Sequence, residues 1–487
     1  MDLKQKAAQG LFWGGVSNVV QQVLNLGFGI FLARILSVSD YGIVGMLTIF
    51  ATIANAIQES GFRSALTNRK DITDNDYNSV FWASLVLGVA MYLILFFSLP
   101  FIADFFHTPE LVPLGRLLFL YFLIASTGTA HNAYLFKNLM AKEMAKSTLA
   151  ATVVSGVVAL LMALYGFAYW GIATQSVVYV LVSTGLYWRY STFRPKLSFD
   201  FQPIRQMLPF SSKLLVTTIF HLLNENFFTA FLGRFFSKES VGFYSNGYKW
   251  TNIGTQTISL AIENVMQPVL SKTGRDNLLQ VFCKLMSVTV FISFPCMIGL
   301  GLIAPEFIQI TIGEKWLASA DIMSVLCIWG AAFPLCQVYQ KQLLSAGKSG
   351  VMMICVITRC VLQIGVVAAT YRFGILVMVM SYTATNVLSI LQVHWFVSRI
   401  NGVTFGMLIK SILPYLSVMI LAYLAGYLAV SGFDNIYIRL CIKIAVVAAV
   451  YLGGLWISGN AVVREVLDFL KGFLLKRKVT VSDSQSK

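Results

Sequence analysis

The chain has 487 residues, of which 57% are hydrophobic, 14% aromatic and only 12% charged, and its mean hydropathy is +0.74. That is more apolar surface than a soluble core can bury, which excludes a soluble domain and requires a membrane protein. The formal net charge of +15 would suggest nucleic acid in a soluble chain, but here it must first be placed relative to a bilayer, and no nucleic-acid partner is expected.

A spanning helix needs about 20 mainly apolar residues. Fourteen stretches qualify, at roughly 11–33, 42–62, 79–102, 113–131, 147–168, 170–189, 209–232, 245–270, 282–304, 319–341, 351–371, 374–397, 411–431 and 435–458. Lys4 and Lys6 precede the first of these in the manner of a signal peptide. The run is too long and lacks a small-residue cleavage site, so a retained first span is expected. The N-terminus, every second connection and the tail carry 26 of the 36 Lys and Arg residues. The alternate connections carry eight, namely Arg34, Arg116, Arg234, Lys238, Lys315, Arg372, Arg439 and Lys443, and Lys249 and Arg359 fall inside spans. By the positive-inside rule both termini are cytoplasmic, and the regular alternation supports an even count.

The predicted fold is therefore an all-α polytopic membrane protein of about 14 transmembrane helices. LARILSVSDYGIVG (32–45) returns 200 residues later as LGRFFSKESVGFYS (232–245), aligning Leu32 with Leu232, Arg34 with Arg234, Ser37 with Ser237 and Gly42 with Gly242. Twelve spans thus form two six-helix bundles in parallel repeat, each copy of the motif being a turn at an outer gate, and two extra helices follow. The expected domains are an N-terminal bundle (1–190), a Pro- and Arg-containing cytoplasmic linker (191–208), a C-terminal bundle (209–400), the extra helix pair (401–460) and a basic cytoplasmic tail (461–487).

Charged and amide side chains at membrane depth call for a bundle interior or a hydrated cavity. Asn18, Gln21, Gln22 and Asn25 share a face of span 1, and Thr52, Asn55, Glu59 and Arg63 share one of span 2. The register of 200 pairs these with Thr218, His221 and Glu225, flanked by Asn224 and Asn226, on span 7. On span 8 it pairs them with Asn252, Thr255, Ser259 and Glu263, extended by Gln256. Spans 1, 2, 7 and 8 are accordingly expected to line a central cavity, the alternative being interhelical hydrogen bonds that hold a bundle together. Candidate substrate-binding groups are Arg34, Arg63, Arg234, Lys249, Arg359, Asn25, Asn224 and Gln256, and candidate ion-coupling groups are Glu225 and Glu263. Arg34 and Arg234 also end helices, where a cation meets the negative pole of the dipole.

All seven cysteines lie in apolar segments of the second half without a CxxC, so they read as small buried hydrophobes. No Walker A motif, HExxH, glycine fingerprint or DxD suited to a nucleotide-sugar metal is present, and the external connections are short. No cofactor, metal or catalytic residue is therefore expected.

GLFWGGVSN, LARILSVSDYGIVG, GFRSALTNRKDIT, NENFFTAFLGRFFSKESVGFYSNGYKW and QLLSAGKS together resemble the Wzx-type polysaccharide and O-antigen flippases, in the branch that includes colanic-acid-type exporters. These belong to the multidrug, oligosaccharidyl-lipid and polysaccharide exporter superfamily. The resemblance implies movement of a polyprenyl-pyrophosphate glycan from the inner to the outer leaflet of the bacterial cytoplasmic membrane. It further implies coupling to H+ or Na+, membrane lipid around the substrate tail, and polysaccharide polymerase and chain-length proteins as partners. Span 1 departs from the lipid II flippases in having Gln21, Gln22 and Asn25 where those have a basic and acidic pair. The competing functions are a drug or metabolite cation antiporter of the same superfamily, and a membrane polysaccharide polymerase or ligase.

Overall fold

The computed structural model describes residues 3–68, 72–197, 200, 222, 226–272, 278–345 and 348–465, and among these no strand occurs. Eleven described helices are long and apolar enough to cross a membrane, and they coincide with predicted spans 1 to 5 and 9 to 14. Two further long helices of more polar sequence, Tyr169–Tyr190 and Lys238–Lys272, stand where spans 6 and 8 were expected. Span 7 lies mostly outside the described residues. The described helices are thus compatible with fourteen crossings.

The chain forms two compact units, Met1–Ser245 and Asn246–Lys487. Unit 1 contains α1 (Leu3–Ile35), α2 (Val38–Asn68), α3 (Asp74–Phe105), α4 (Leu111–Leu118), α5 (Leu120–Lys137), α6 (Ala141–Leu164), α7 (Tyr169–Tyr190), α8 (226–235) and the first turns of α9 (Lys238–Lys272). Unit 2 holds the rest of α9 with α10 (Leu278–Leu302), α11 (Ala304–Thr311), α12 (Leu317–Ser345), α13 (Ser349–Thr370), α14 (Ile375–Asn401), α15 (Phe405–Leu428) and α16 (Ile436–Ile457).

The neighbour pattern repeats between the units. In unit 1, α3 packs on α5, α5 on α7 and α6 on α7; in unit 2, α10 packs on α12, α12 on α14 and α13 on α14. Each copy also inserts an eight-residue helix, α4 or α11, before its fourth long helix. Starts are set by side chains that accept the orphan amides of the first turn. Thr73 and Asp76 form a capping box at α3, and the Asn435 carboxamide accepts from the amides of Tyr437 and Ile438 at α16.

The beginning of the predicted 191–208 linker is bound to unit 1. Phe193 joins a buried cluster with Tyr77, Phe81 and Ala133. The Lys196 amide donates to Asn78 Oδ1 at 2.7 Å, and the Trp82 indole donates to the Lys196 carbonyl at 2.8 Å. All seven cysteines are free. Cys327, Cys336 and Cys355 are buried as expected, whereas Cys296 and Cys441 are exposed. A thiol is apolar enough to sit on an outward helix face as well as in a core.

The extra pair α15–α16 packs on α10, and α16 also meets α11 through a buried ion cluster. Lys443 Nζ donates to both Glu306 carboxylate oxygens, at 2.7 and 2.8 Å, and to the Leu302 carbonyl at 3.1 Å, while Arg439 reaches Glu306 Oε1 at 3.1 Å. The side chains of Glu306 and Lys443 are only 2% and 5% exposed. Charge alternation along the sequence places Lys443 in a connection; the fold instead buries it in α16 against a carboxylate 137 residues earlier. Removing one partner of such a buried pair strands the other charge. Glu306→Ala should lower stability by roughly 3 to 5 kcal/mol, and Glu306→Met with Lys443→Met should recover most of it. Unfolding midpoints of the purified protein in detergent check both.

Candidate functional site

The repeated motif folds the same way twice. Each copy ends a helix at the residue before a serine, with the Leu36 amide on the Leu32 carbonyl (2.9 Å) and the Phe236 amide on the Leu232 carbonyl (2.8 Å). The serine then caps the next helix: Ser37 Oγ accepts from the Asp40 amide and Ser237 Oγ accepts from the Ser240 amide. The hairpins α1–α2 and α8–α9 meet reciprocally within unit 1. A Cβ on Gly42 would strike the Lys238 carbonyl, and a Cβ on Gly242 would strike the Val38 carbonyl, which are the same two positions exchanged by 200 residues. Only glycine admits this backbone approach. One turn further, a Cβ on Gly45 would lie 3.9 Å from that of Ser245.

The turn between α3 and α4 clamps the second hairpin. Arg234 donates to the Phe105 carbonyl at 2.8 Å, stacks on the Phe105 ring and meets the imidazole of His107, whose positive φ of 51° aims it there. Lys238 pairs with Glu110 at 2.9 Å. The hydrogen bond from Lys238 holds the Glu110 carboxyl below the usual carboxylate range.

Unit 1 also holds a half-open cavity of about 290 Å³. Asn55 from α2, Tyr121 and Asn132 from α5, Thr148 from α6 and Tyr179 and Tyr187 from α7 line it. Among the described residues no Asp, Glu, Lys, Arg or His lines it. The Tyr121 hydroxyl donates to Asn55 Oδ1 at 3.3 Å. Helix α1 walls one side, Gln21 Nε2 donating to the Tyr179 hydroxyl at 3.2 Å and Ser17 lying 3.4 Å from the Thr148 hydroxyl. Of these residues the sequence singled out only Asn55, Gln21 and their stripe. The others come from four helices with no common spacing.

The stripe on α1 divides. Gln21 turns into the bundle, whereas Asn18, Gln22 and Asn25 are exposed within an otherwise apolar span. In unit 2, Lys249 and Gln256 are exposed on one face of α9 with half-buried Asn252 between them, and Gln256 Nε2 reaches Asn252 Oδ1 at 3.5 Å. Thr255 and Ser259, on the flank of the same stripe beside Asn252, are buried. Arg359 sits apart, half-buried in a narrow crevice between α12, α13 and α14 beside Cys336, Gln340, Cys355 and Ser389. Its Nε is buried with no hydrogen bond among the described residues. Arg34 is exposed at the end of α1, and Arg234 is engaged in the clamp just described. Asn224 and Glu225 lie outside the described residues, as do the side chains of Arg63 and Glu263. Among the described residues no three His, Cys, Asp or Glu side chains converge as a metal site would need.

The Cβ separation at the seam suits a disulfide. Gly45→Cys with Ser245→Cys, in a background without the native cysteines, should cross-link on mild oxidation, as read by intact mass and by proteolysis across the loop. The Glu110–Lys238 tie should hold at neutral pH and be lost as pH falls below the ordinary glutamate range, through the depressed pKa of Glu110. Protection factors of the backbone amides at the start of α9, taken against the intrinsic exchange rate at each pH, should therefore fall in acid in the wild type and change much less in Glu110→Gln.

A family profile described as polysaccharide biosynthesis protein matches residues 31–321. The chain is 25% identical over 470 residues to the teichuronic acid biosynthesis protein TuaB of Bacillus subtilis (strain 168), covering 92% of this chain and 95% of that one. It is 25% identical over 339 residues to the lipopolysaccharide biosynthesis protein WzxC of Escherichia coli (strain K12), covering 68% of each. It is 23% identical over 448 residues to the succinoglycan biosynthesis transport protein ExoT of Rhizobium meliloti (strain 1021), covering 90% of each. Among solved structures, the lipid II flippase MurJ in an inward closed conformation superposes with a TM-score of 0.74 at 14% identity, covering 93% of this chain and all of that one. An inward-facing multidrug resistance MATE family transporter superposes at 0.64 and 17% identity, covering 79% and 95%. These likenesses establish the fold, and the profile match spans more than half of the 487 residues: the chain belongs to the polysaccharide biosynthesis protein family.

Proposed function

We propose that this chain is a flippase that moves polyprenyl-pyrophosphate-linked oligosaccharide repeat units from the inner to the outer leaflet of the bacterial cytoplasmic membrane, ahead of O-antigen, capsule or exopolysaccharide assembly. The observation that carries the reading is the exposed amide face of α1. Asn18, Gln22 and Asn25 stand at one-turn spacing inside an apolar span. Amides exposed at membrane depth need water or a polar ligand, because hydrocarbon offers them nothing. The face of α9 adds amides and the ammonium of Lys249, suited to sugar hydroxyls and a pyrophosphate respectively. The relatives named for lipopolysaccharide, teichuronic acid and succinoglycan synthesis support the substrate class, and the fold shared with a lipid II flippase supports the transport step.

In this reading both termini are cytoplasmic, the seam at Gly42 and Gly242 is an outer gate, and the lipid tail stays in the bilayer beside α15 and α16. The N-terminal bundle of 1–190 and the C-terminal bundle of 209–400 provide the two moving halves. Arg63, Asn224, Glu225 and Glu263 enter on sequence grounds alone. Glu225 and Glu263 take the coupling ion, since one charge crossing 100 mV supplies about 2.3 kcal/mol. Polysaccharide polymerase and chain-length proteins receive the product.

Proteoliposomes carrying a fluorescent polyprenyl-pyrophosphate glycan test this. Translocation should depend on an imposed ion gradient. It should fall about tenfold or more in Lys249→Gln or Arg359→Gln if each contributes a charge-assisted hydrogen bond. Glu225→Gln should retain insertion but lose the gradient dependence. Export of small organic cations without glycan movement would favour the drug antiporter instead.

A further inference from the structure

Among the described residues, the cavity of unit 1 is lined by neutral side chains alone. None of the described lining residues would compensate a buried anion or cation there. What it offers is hydroxyls and carboxamides beside tyrosine side chains. The Asn55 carboxamide accepts from Tyr121, and Tyr179 is held by Gln21. Most telling is the Asn132 carboxamide oxygen, which is buried without a hydrogen-bond partner among the described residues. A buried acceptor left open normally marks a missing donor. The residues run along α5 from Tyr121 to Asn132, about 16 Å at 1.5 Å per residue. The volume of about 290 Å³ is near the lower end of small-ligand pockets.

A monosaccharide meets each of these terms. It is neutral, it carries donors and acceptors around its rim, and its C–H faces are apolar enough to lie on aromatic rings. Its hydroxyls can hydrogen-bond the Asn132 carboxamide and exchange with the Thr148 and tyrosine hydroxyls, a complement that a hydrocarbon or drug cation lacks. We propose that this cavity is a subsite for one uncharged sugar residue, and that Asn132, Tyr121 and Tyr179 set which sugar is accepted. The proposal rests on the flippase reading for its biological setting, because the sugar would be one residue of the translocated glycan.

Two measurements keep the readings apart. First, the purified full-length protein in detergent is titrated with a panel of neutral methyl glycosides and followed by saturation-transfer NMR. At least one glycoside should bind saturably, and Asn132→Leu should weaken it about tenfold, the scale of one buried hydrogen bond. Thr148→Trp, which fills the space, should abolish binding, and Tyr121→Phe serves as the milder third variant should the tryptophan unfold the bundle. Unchanged melting temperatures in Asn132→Leu and Tyr121→Phe separate a lost contact from a lost fold. No glycoside binding by the wild type, or binding indifferent to all three variants, overturns the subsite. Second, the same variants are assayed in proteoliposomes with two lipid-linked glycans that differ in one neutral sugar. The ratio of their rates should change in Asn132→Leu. Wild-type protein that binds glycosides but translocates neither glycan leaves the subsite standing and removes the flippase reading; translocation with an unaltered ratio does the reverse.

Discussion

A polar side chain at membrane depth must meet water, a ligand or a polar partner, because the hydrocarbon around it supplies none. This chain meets the demand in three ways, and each accounts for a different part of its architecture. Hydroxyls turn back on their own helix: Thr148, Thr152, Thr251 and Thr255 each donate to the carbonyl four residues earlier. These groups are satisfied locally and leave helix packing to apolar contacts. Ionised groups pair across helices, as Glu306 does with Lys443, and that pairing ties the added helices to the rest of unit 2. Of the amides, some pair with one another, as Gln363 does with Asn386, and others are exposed on α1 and α9 or line the cavity of unit 1, where a polar substrate has something to gain.

The seam between the hairpins obeys a different logic. It brings backbone against backbone through glycine, with an ion pair and an arginine clamp at its edge rather than a charge at its centre. Lys238 and Glu110 keep 29% and 40% of their side-chain surface exposed, so screening by water leaves their attraction modest. Close packing between small residues gives such a contact its geometry without a large desolvation term to overcome on separation. The buried Glu306–Lys443 cluster is the opposite case, since parting its members would strand charges in a place of low polarity. Parting the first contact would cost little electrostatically, and parting the second would cost much.

The spans were legible because hydropathy over 20 residues is the strongest signal a membrane chain emits. The repeat was legible because LARILSVSDYG and LGRFFSKESVG preserve the cap, the glycine and the spacing that their shared turn requires. The cavity was not. Tyr121, Asn132, Thr148 and Tyr179 are individually ordinary in spanning helices, and only the packing of α2, α5, α6 and α7 makes them neighbours. Lys443 misleads for a related reason: the hydropathy of 435–458 puts it inside a span, charge alternation counts it with a connection, and only the carboxylate beside it from another helix decides between them. Arg234 read as a candidate anion ligand, and its engagement with Phe105 and His107 depends on a turn whose backbone course no composition discloses. The first compact unit runs on to Ser245 because α8 and the first turns of α9 lie against α2 and the α3–α4 turn.

The reciprocity at the glycines reaches beyond packing. What Gly42 does to the carbonyl of Lys238, Gly242 does to that of Val38, so the meeting surface is self-complementary in the manner of an isologous dimer interface. Two identical half-length chains would present the same face to one another, each supplying the glycine and the carbonyl the other needs. Fusion into a single chain frees most positions to diverge, as the unlike charges of the two halves attest. The two glycines remain bound together, because a side chain added to either one collides with the backbone of the other copy.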